Sequence, residues 1–382
     1  MEYRKLGRTG LSVSKIALGC AGFEEMEQSQ VCQDIQYAMD MGINFFDLFA
    51  SDPALRSNIG AAIAGRRDQL IIQGHVGSAW QDGQYLRTRK MDLTQQSFDD
   101  LLQRLGTGYI DVGMIHYVDT LDDWEAIKNG PFMEYVLALR QSGKIRHIGM
   151  SSHNPDAAIA AVESGLIEVL MFSINPCYDM QPGDEDLEKL WAEESYAQDL
   201  HNQDASRKRL YELCESTGVG IDVMKAYGGG DLLSAELSPF GKAFTPVQCL
   251  HYALTRPAVA AVMVGSREKS QLDAALAYLD AQEAERDYAG VLSGLDRFTF
   301  SGHCLYCGHC APCPAGIDVA AVTKLLNLCI AQGQVPSTEQ DHYRLLQHHG
   351  GDCTACGRCE KNCPFDVHII ENMKKAAEYF GF

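Results

Sequence analysis

The sequence predicts an α/β protein: a (β/α)8 TIM barrel over residues 1–290, with a small cysteine-bound module behind it over residues 291–382. Three observations carry this. Short, apolar, β-rich runs alternate eight times with stretches of helical periodicity in the first 280 or so residues. The first run ends in Leu18-Gly19-Cys20-Ala21-Gly22, which is no G-x-G-x-x-G, so a doubly wound nucleotide-binding sheet loses ground to a barrel. Eight of the 14 cysteines crowd into the last 80 or so residues at close, regular spacing.

Taken in order, the strands are expected at Val13–Cys20, Asn44–Phe49, Gln69–Gly77, Tyr109–Tyr117, Ile145–His153, Val169–Asn175, Gly220–Ala226 and Val259–Gly265. Between them, helical spacing marks Ser29–Met41, Thr94–Leu105, Pro131–Ser142, Pro155–Ser164, Ser206–Thr217, Pro246–Thr255 and Lys269–Asp280. Several open on a cap or a proline, as at Ser29, Asn154-Pro155 and Thr245-Pro246, and several close on glycine, as at Gly42, Gly106, Gly143, Gly165 and Gly218. Eight such units in about 280 residues have the size and order of a barrel. The acidic stretch Pro182–Asp204 interrupts them and reads as a surface insertion on a βα loop, either a lid or a solvated excursion.

With 32 Lys+Arg against 51 Asp+Glu, the net charge of −19 repels phosphate backbones and anionic membrane surfaces. No nucleic-acid partner is expected. The start, Met1-Glu2-Tyr3-Arg4-Lys5-Leu6-Gly7, lacks a signal peptide's apolar run, and no stretch of about 18 apolar residues offers a membrane span. The expected location is cytoplasmic. There, the scattered Cys20, Cys32, Cys177, Cys214, Cys249 and Cys329 are simplest as buried thiols.

The clustered cysteines form two runs, Cys304-x2-Cys307-x2-Cys310-x2-Cys313-Pro314 and Cys353-x2-Cys356-x2-Cys359-x3-Cys363-Pro364. This is the spacing of a ferredoxin-like module with two [4Fe–4S] clusters, in which the fourth cysteine of each run serves the other cluster. Cys304, Cys307, Cys310 and Cys363 would hold one cluster, and Cys353, Cys356, Cys359 and Cys313 the second. A pair of zinc sites is the alternative, but zinc favours two separate C-x2-C knuckles. Two clusters serve either as an electron wire or as staples for a short tail with little apolar material.

The barrel resembles the aldo-keto reductase family, in the branch with a C-terminal ferredoxin module. The marks are Arg4-Lys5-Leu6-Gly7-Arg8-Thr9-Gly10-Leu11-Ser12-Val13-Ser14, Gly42-Ile43-Asn44-Phe45-Phe46-Asp47, Tyr109-Ile110-Asp111 running into His116, and Gly143-Lys144-Ile145-Arg146-His147-Ile148-Gly149 with Ser151. The resemblance implies carbonyl reduction with NAD(P)H by an Asp-Tyr-Lys-His tetrad. Asp47 and His116 match the family Asp and His. Asp52 stands where the family tyrosine is expected, and His75 where its lysine is. The catalytic set is therefore expected to be Asp47, Asp52, His75 and His116, close together at the barrel mouth. Tyr117 is a substitute phenol that strand alternation should turn away from the interior. A metal held by the two His and a carboxylate is a further option, without an H-x-x-x-H helix to support it.

The resemblance also places a nicotinamide cofactor, NADP(H) or NAD(H), on Ser151, Ser152, Lys225, Gly265, Ser266 and Arg267. The family's Glu-Asn pair for adenine falls on Ala274 and Ala275. The leading expectation is an iron–sulfur oxidoreductase in which electrons pass between a small organic substrate at the mouth and the clusters. Since hydride carriers move two electrons and clusters one, a flavin or a redox partner protein enters the scheme, although no flavin motif is visible. The alternatives are a non-redox lyase or isomerase with structural clusters, and a non-catalytic electron-transfer subunit.

Overall fold

The computed structural model describes residues 1–181, 200–293, 298–299 and 302–382. The interrupting segment expected at 182–204 lies largely outside them. Eight parallel strands close into a barrel: β1 (Ile16–Gly19), β2 (Phe45–Leu48), β3 (Ile71–Val76), β4 (Ile110–Ile115), β5 (Ile145–Ser152), β6 (Val169–Ser173), β7 (Gly220–Met224) and β8 (Val259–Gly265). Each pairs with its sequence neighbour and β8 closes on β1, so the order around the barrel is the order along the chain. Every expected strand is one of these eight.

The first expected strand is divided. Ser12–Ser14 pairs antiparallel with Tyr3–Lys5 in a hairpin, and only Ile16–Gly19 enters the barrel. This hairpin sits at the N-terminal end of the strands, where Arg4 donates to the carbonyls of Leu254 and Val259. Apolar side chains such as Ala17, Phe45, Val112, Met114, Val169, Met171 and Ala261 fill the barrel interior, as the fold requires.

The expected helices form, and further elements appear that periodicity did not single out, among them a helix and a hairpin near the mouth. Pro53–Ile63 is a helix with Asp52 as N-cap and proline at its first position. After β3, Ser78–Gln81 and Gln84–Arg87 form an antiparallel hairpin that rises over the mouth. Its turn residues Asp82 and Gly83 have φ of 55° and 80°, the left-handed pair of a type I′ turn, for which Asp-Gly is the preferred chemistry.

In the C-terminal residues, the helix Val319–Gln332 packs on Ile369–Phe380, and Tyr343 stacks on Phe380 at 3.9 Å between ring centres. The buried apolar cluster around the barrel continues without a break into Leu305, Ile317, Val322, Leu326 and Met373. Arg256 pins the join. Fully buried, it donates to Tyr288 Oη at 3.1 Å and to the carbonyl of Leu305. Arg256 precedes β8, so this join lies at the N-terminal end of the barrel.

Candidate functional site

The C-terminal ends of β2, β3 and β4 bring Asp47, His75 and His116 into one hydrogen-bonded line. His75 Nε2 lies 3.0 Å from Asp47 Oδ1, and His75 Nδ1 lies 2.7 Å from His116 Nδ1. All three side chains are buried. The line extends at both ends through residues that the sequence reading passed over. Outward, His116 Nε2 meets Tyr85 Oη at 2.6 Å. Inward, Gln73 Nε2 donates to Asp47 Oδ1 at 2.9 Å and to Asp222 Oδ1 at 3.3 Å. Asp222 sits at a register shift between β7 and β8, with Oδ2 unpartnered. Burial, and Asp47 nearby, push its carboxyl well above the usual carboxylate range, so one proton is stored in the barrel interior.

Burial first, then the charges of His75, Arg89 and Arg87, push His116 well below the ordinary imidazole value. It is a neutral ring at neutral pH. Phe49 packs over the pair, stacked on His116 with ring centres 6.1 Å apart and edge-on to Tyr85 at 6.3 Å.

Asp52 stands apart from this line. Its Oδ1 accepts the Leu55 N–H at 2.6 Å and caps the helix Pro53–Ile63, the local role that Asp-Pro chemistry favours. Tyr117 turns to the mouth, contrary to the alternation expected of a strand residue, because β4 has ended at Ile115 and Tyr117 has φ of 51°. Its ring lies 6.1 Å from that of His116 and 5.2 Å from that of His153, with the Arg87 guanidinium over its face.

On the other side of Tyr117, Ser151 and Ser152 serve the local backbone and Asp119. Ser151 Oγ accepts the Tyr117 N–H at 2.8 Å, and Ser152 Oγ donates to Asp119 Oδ1 at 3.1 Å. Asp119 also bonds His153 Nδ1 at 2.9 Å. Lys225, Gly265, Ser266 and Arg267 together line a cavity of about 750 Å³, in the size range of small-molecule sites. Ser270 and Gln271, in the first turn of the helix Lys269–Leu276, line it too, and Ala274 closes its far side. Gly22 lets the chain after β1 lie against this wall, since a Cβ there would stand 2.3 Å from the Ser266 carbonyl oxygen. Ser151 and Ser152 are not among the lining residues.

The cysteines fall into two neighbourhoods. Cys313, Cys353, Cys356 and Cys359 line one enclosed cavity, walled by Ile317, Val319, Ile370 and Met373. Cys363 joins the other run: besides burial, the larger cause, it pushes up the thiols of Cys304, Cys307 and Cys310. Among the described residues, no three His, Cys, Asp or Glu converge on a single-ion site. A four-iron cube binds each thiolate to a different iron, so its ligands stand further apart than those of one ion. Four thiolates in each neighbourhood are the donor chemistry that such a cube would take.

A family model described as the aldo/keto reductase family matches residues 15–248. The chain belongs to the aldo/keto reductase family. It is an oxidoreductase with a (β/α)8 barrel. It is 28% identical over 290 residues to the uncharacterized oxidoreductase YqkF of Bacillus subtilis, covering 71% of this chain and 89% of that protein. It is 31% identical over 177 residues to the L-glyceraldehyde 3-phosphate reductase of Escherichia coli, spanning 43% of this chain and about half (49%) of that reductase. The fold superposes on the holo form of aldo-keto reductase AKR11C1 from Bacillus halodurans with a TM-score of 0.58 at 24% identity, over 75% of this chain and 94% of that one. Among the described residues, no helix is long and apolar enough to cross a membrane.

Proposed function

We propose that this aldo/keto reductase uses NADP(H) or NAD(H) to interconvert a small carbonyl compound and its alcohol at the barrel mouth, and that residues 291–382 carry two [4Fe–4S] clusters that exchange electrons with a redox partner. The convergence of Lys225, Gly265, Ser266 and Arg267 on one cavity beside the mouth carries the cofactor reading. A phosphate there would meet the Lys225 ammonium, the Arg267 guanidinium and the first turn of the helix Lys269–Leu276. Bound nicotinamide supplies or accepts hydride. The chain's own part is to hold a substrate oxygen at the mouth and to move its proton.

Asp52 and His75 occupy the places expected for the family's tyrosine and lysine, so the proton route differs from the family's. Asp47, His75 and His116 form an unbroken hydrogen-bonded line for that purpose, and Asp52 stands apart as a helix cap. A line of hydrogen-bonded imidazoles can pass a proton from end to end with no net charge left on either ring.

The cysteine neighbourhoods lie at the N-terminal end of the barrel, beside Arg256. That is the end opposite the mouth, about 20 Å away along β8. This separation supports exchange with a partner over a direct wire to the mouth, with a flavin on the partner or on this chain as the two-electron to one-electron step. It also favours a second reading, in which the clusters fold the tail and take no part in turnover.

The test is anaerobic purification with iron analysis and visible spectra. About eight irons per chain are expected, with a brown colour that bleaches on reduction, and Cys356→Ser should lose one cluster. Stoichiometric zinc without colour would sink the cluster assignment. Turnover of NADPH with short aldehydes while the cluster band stays oxidised selects the structural reading.

A further inference from the structure

We propose that Tyr85, on the hairpin after β3, is the catalytic acid–base of the mouth, and that His116, His75 and Asp47 are the proton relay behind it. The inference rests on the nicotinamide reading above for its hydride.

Proton bookkeeping along the line allows one arrangement when Asp47 is a carboxylate and both rings are neutral. Asp47 Oδ1 can only accept, so His75 Nε2 carries the proton of that 3.0 Å contact. A neutral His75 then offers Nδ1 as an acceptor, so the 2.7 Å contact between the two Nδ1 atoms is donated by His116. His116 Nε2 is left as an acceptor, and Tyr85 Oη donates to it at 2.6 Å. Burial holds the His116 ring neutral, in keeping with this arrangement. Burial raises Tyr85 above the ordinary phenol value, against the pull of Arg87 and Arg89, so it holds its proton at neutral pH. Tyr85 is 42% exposed, the open end of an otherwise buried line.

In alcohol oxidation, the substrate O–H proton passes to Tyr85 Oη. Tyr85 gives its own proton to His116 Nε2, His116 Nδ1–H goes to His75 Nδ1, and His75 Nε2–H goes to Asp47. The O–H and C–H bonds break, the C=O bond forms, and the C–H electron pair leaves as hydride to oxidised nicotinamide. Asp47 ends protonated and both rings end neutral. Carbonyl reduction runs the same line backwards, from protonated Asp47 to a proton delivered by Tyr85. The hairpin is braced for this work. Ser78 Oγ donates to the Phe49 carbonyl at 2.5 Å, Ser51 Oγ to that of Ala79 at 2.6 Å, and Arg87 and Arg89 both reach Asp123 at 2.7 Å.

The experiment has two arms on the full-length protein. In the first, wild type and Tyr85→Phe are assayed with NADPH and short aldehydes, and with NADP⁺ and the matching alcohols. Tyr85→Phe should lower kcat about 10²–10⁴-fold in both directions. KM and NADPH affinity should stay within about twofold. A Tyr85→Phe enzyme with wild-type kcat overturns the proposal. In the second arm, ¹⁵N-histidine NMR at pH 8 reads the tautomers without substrate. His116 should carry its proton on Nδ1, and its Nε2 resonance should move when Tyr85→Phe removes the donor. A proton on His116 Nε2, or a resonance unmoved by Tyr85→Phe, also overturns it. A wild type that turns over none of these substrates defeats the nicotinamide reading of the previous section, and the relay is then judged on the histidine spectra.

Discussion

His75 and His116 show how much a pair of buried rings depends on its neighbours. Either one alone in an apolar strand end is a packing residue. Joined through Nδ1 atoms and anchored by Asp47, they become a directional line whose tautomers are fixed by one carboxylate. Lys225 is a second residue whose chemistry comes from its surroundings. Burial lowers its ammonium to about 8, with Asp119 acting in the opposite sense, and its backbone sits at φ of 60°. Below about pH 8 it is a cation beside the cavity proposed for the cofactor, and above that it is neutral. NADPH affinity should therefore be flat from pH 6.5 to 8 and weaken above it, approaching tenfold per unit. Lys225→Met should bind more weakly with no such break. Fluorescence titration of NADPH across this range checks it, and an unbroken wild-type curve would remove Lys225 from the phosphate site.

The hairpin Ser78–Arg87 is the element that completes the site, and it hangs on a two-residue turn. Asp82 and Gly83 both take positive φ, which costs a β-branched residue roughly 1–2 kcal/mol and glycine nothing. No atom lies within 4 Å of where a Cβ at Gly83 would be, so Gly83→Val strains the backbone without a clash. Gly83→Val should loosen the turn, withdraw Tyr85 from His116 and cut kcat toward that of Tyr85→Phe. The global denaturation midpoint should move by no more than the local strain, since all four residues Gln84–Arg87 are exposed. Steady-state kinetics with circular dichroism melts separates the two effects. A variant with normal kcat would show that the turn does not place Tyr85. The helix Pro53–Ile63 illustrates the converse. It gains its cap from Asp52, and in doing so engages the residue that resemblance had put among the catalytic groups.

At the scale of the molecule, the mouth and the cysteine module occupy opposite ends of the barrel, and Arg256 holds the second end together. Its Nη2 bonds Thr255 Oγ1 at 3.0 Å and Tyr288 Oη at 3.1 Å, and it reaches the Leu305 carbonyl in the loop that leads into Cys307. Arg256→Met should leave Tyr288 Oη without its buried donor, while the Leu305 carbonyl keeps the Tyr288 O–H at 2.7 Å, and should cost about 1–3 kcal/mol. Protease should release the C-terminal residues from the barrel faster than in wild type. Mouth kinetics should change little, because Arg256 lies at the far end of β8. Denaturant midpoints and timed proteolysis measure it, and wild-type values for both would mean the module docks through its apolar surface alone.

The sequence by itself determined the barrel and its strand order, because each β/α unit writes its own period, cap and closing glycine locally. It also predicts two runs of four thiols as cluster ligands, because ligand spacing is a local property. The hairpin was legible too, in Asp82-Gly83 between Trp80 and Tyr85, although its four-residue strands are too short to stand out by alternation. Only the tertiary structure decided that Tyr85 meets His116, that Gln73 ties Asp47 to a protonated Asp222, and that Ser152 serves Asp119. Those partners stand 26 to 149 residues apart along the chain. Closure of the barrel sets which strand ends face one another, and burial then decides which carboxyl keeps its proton.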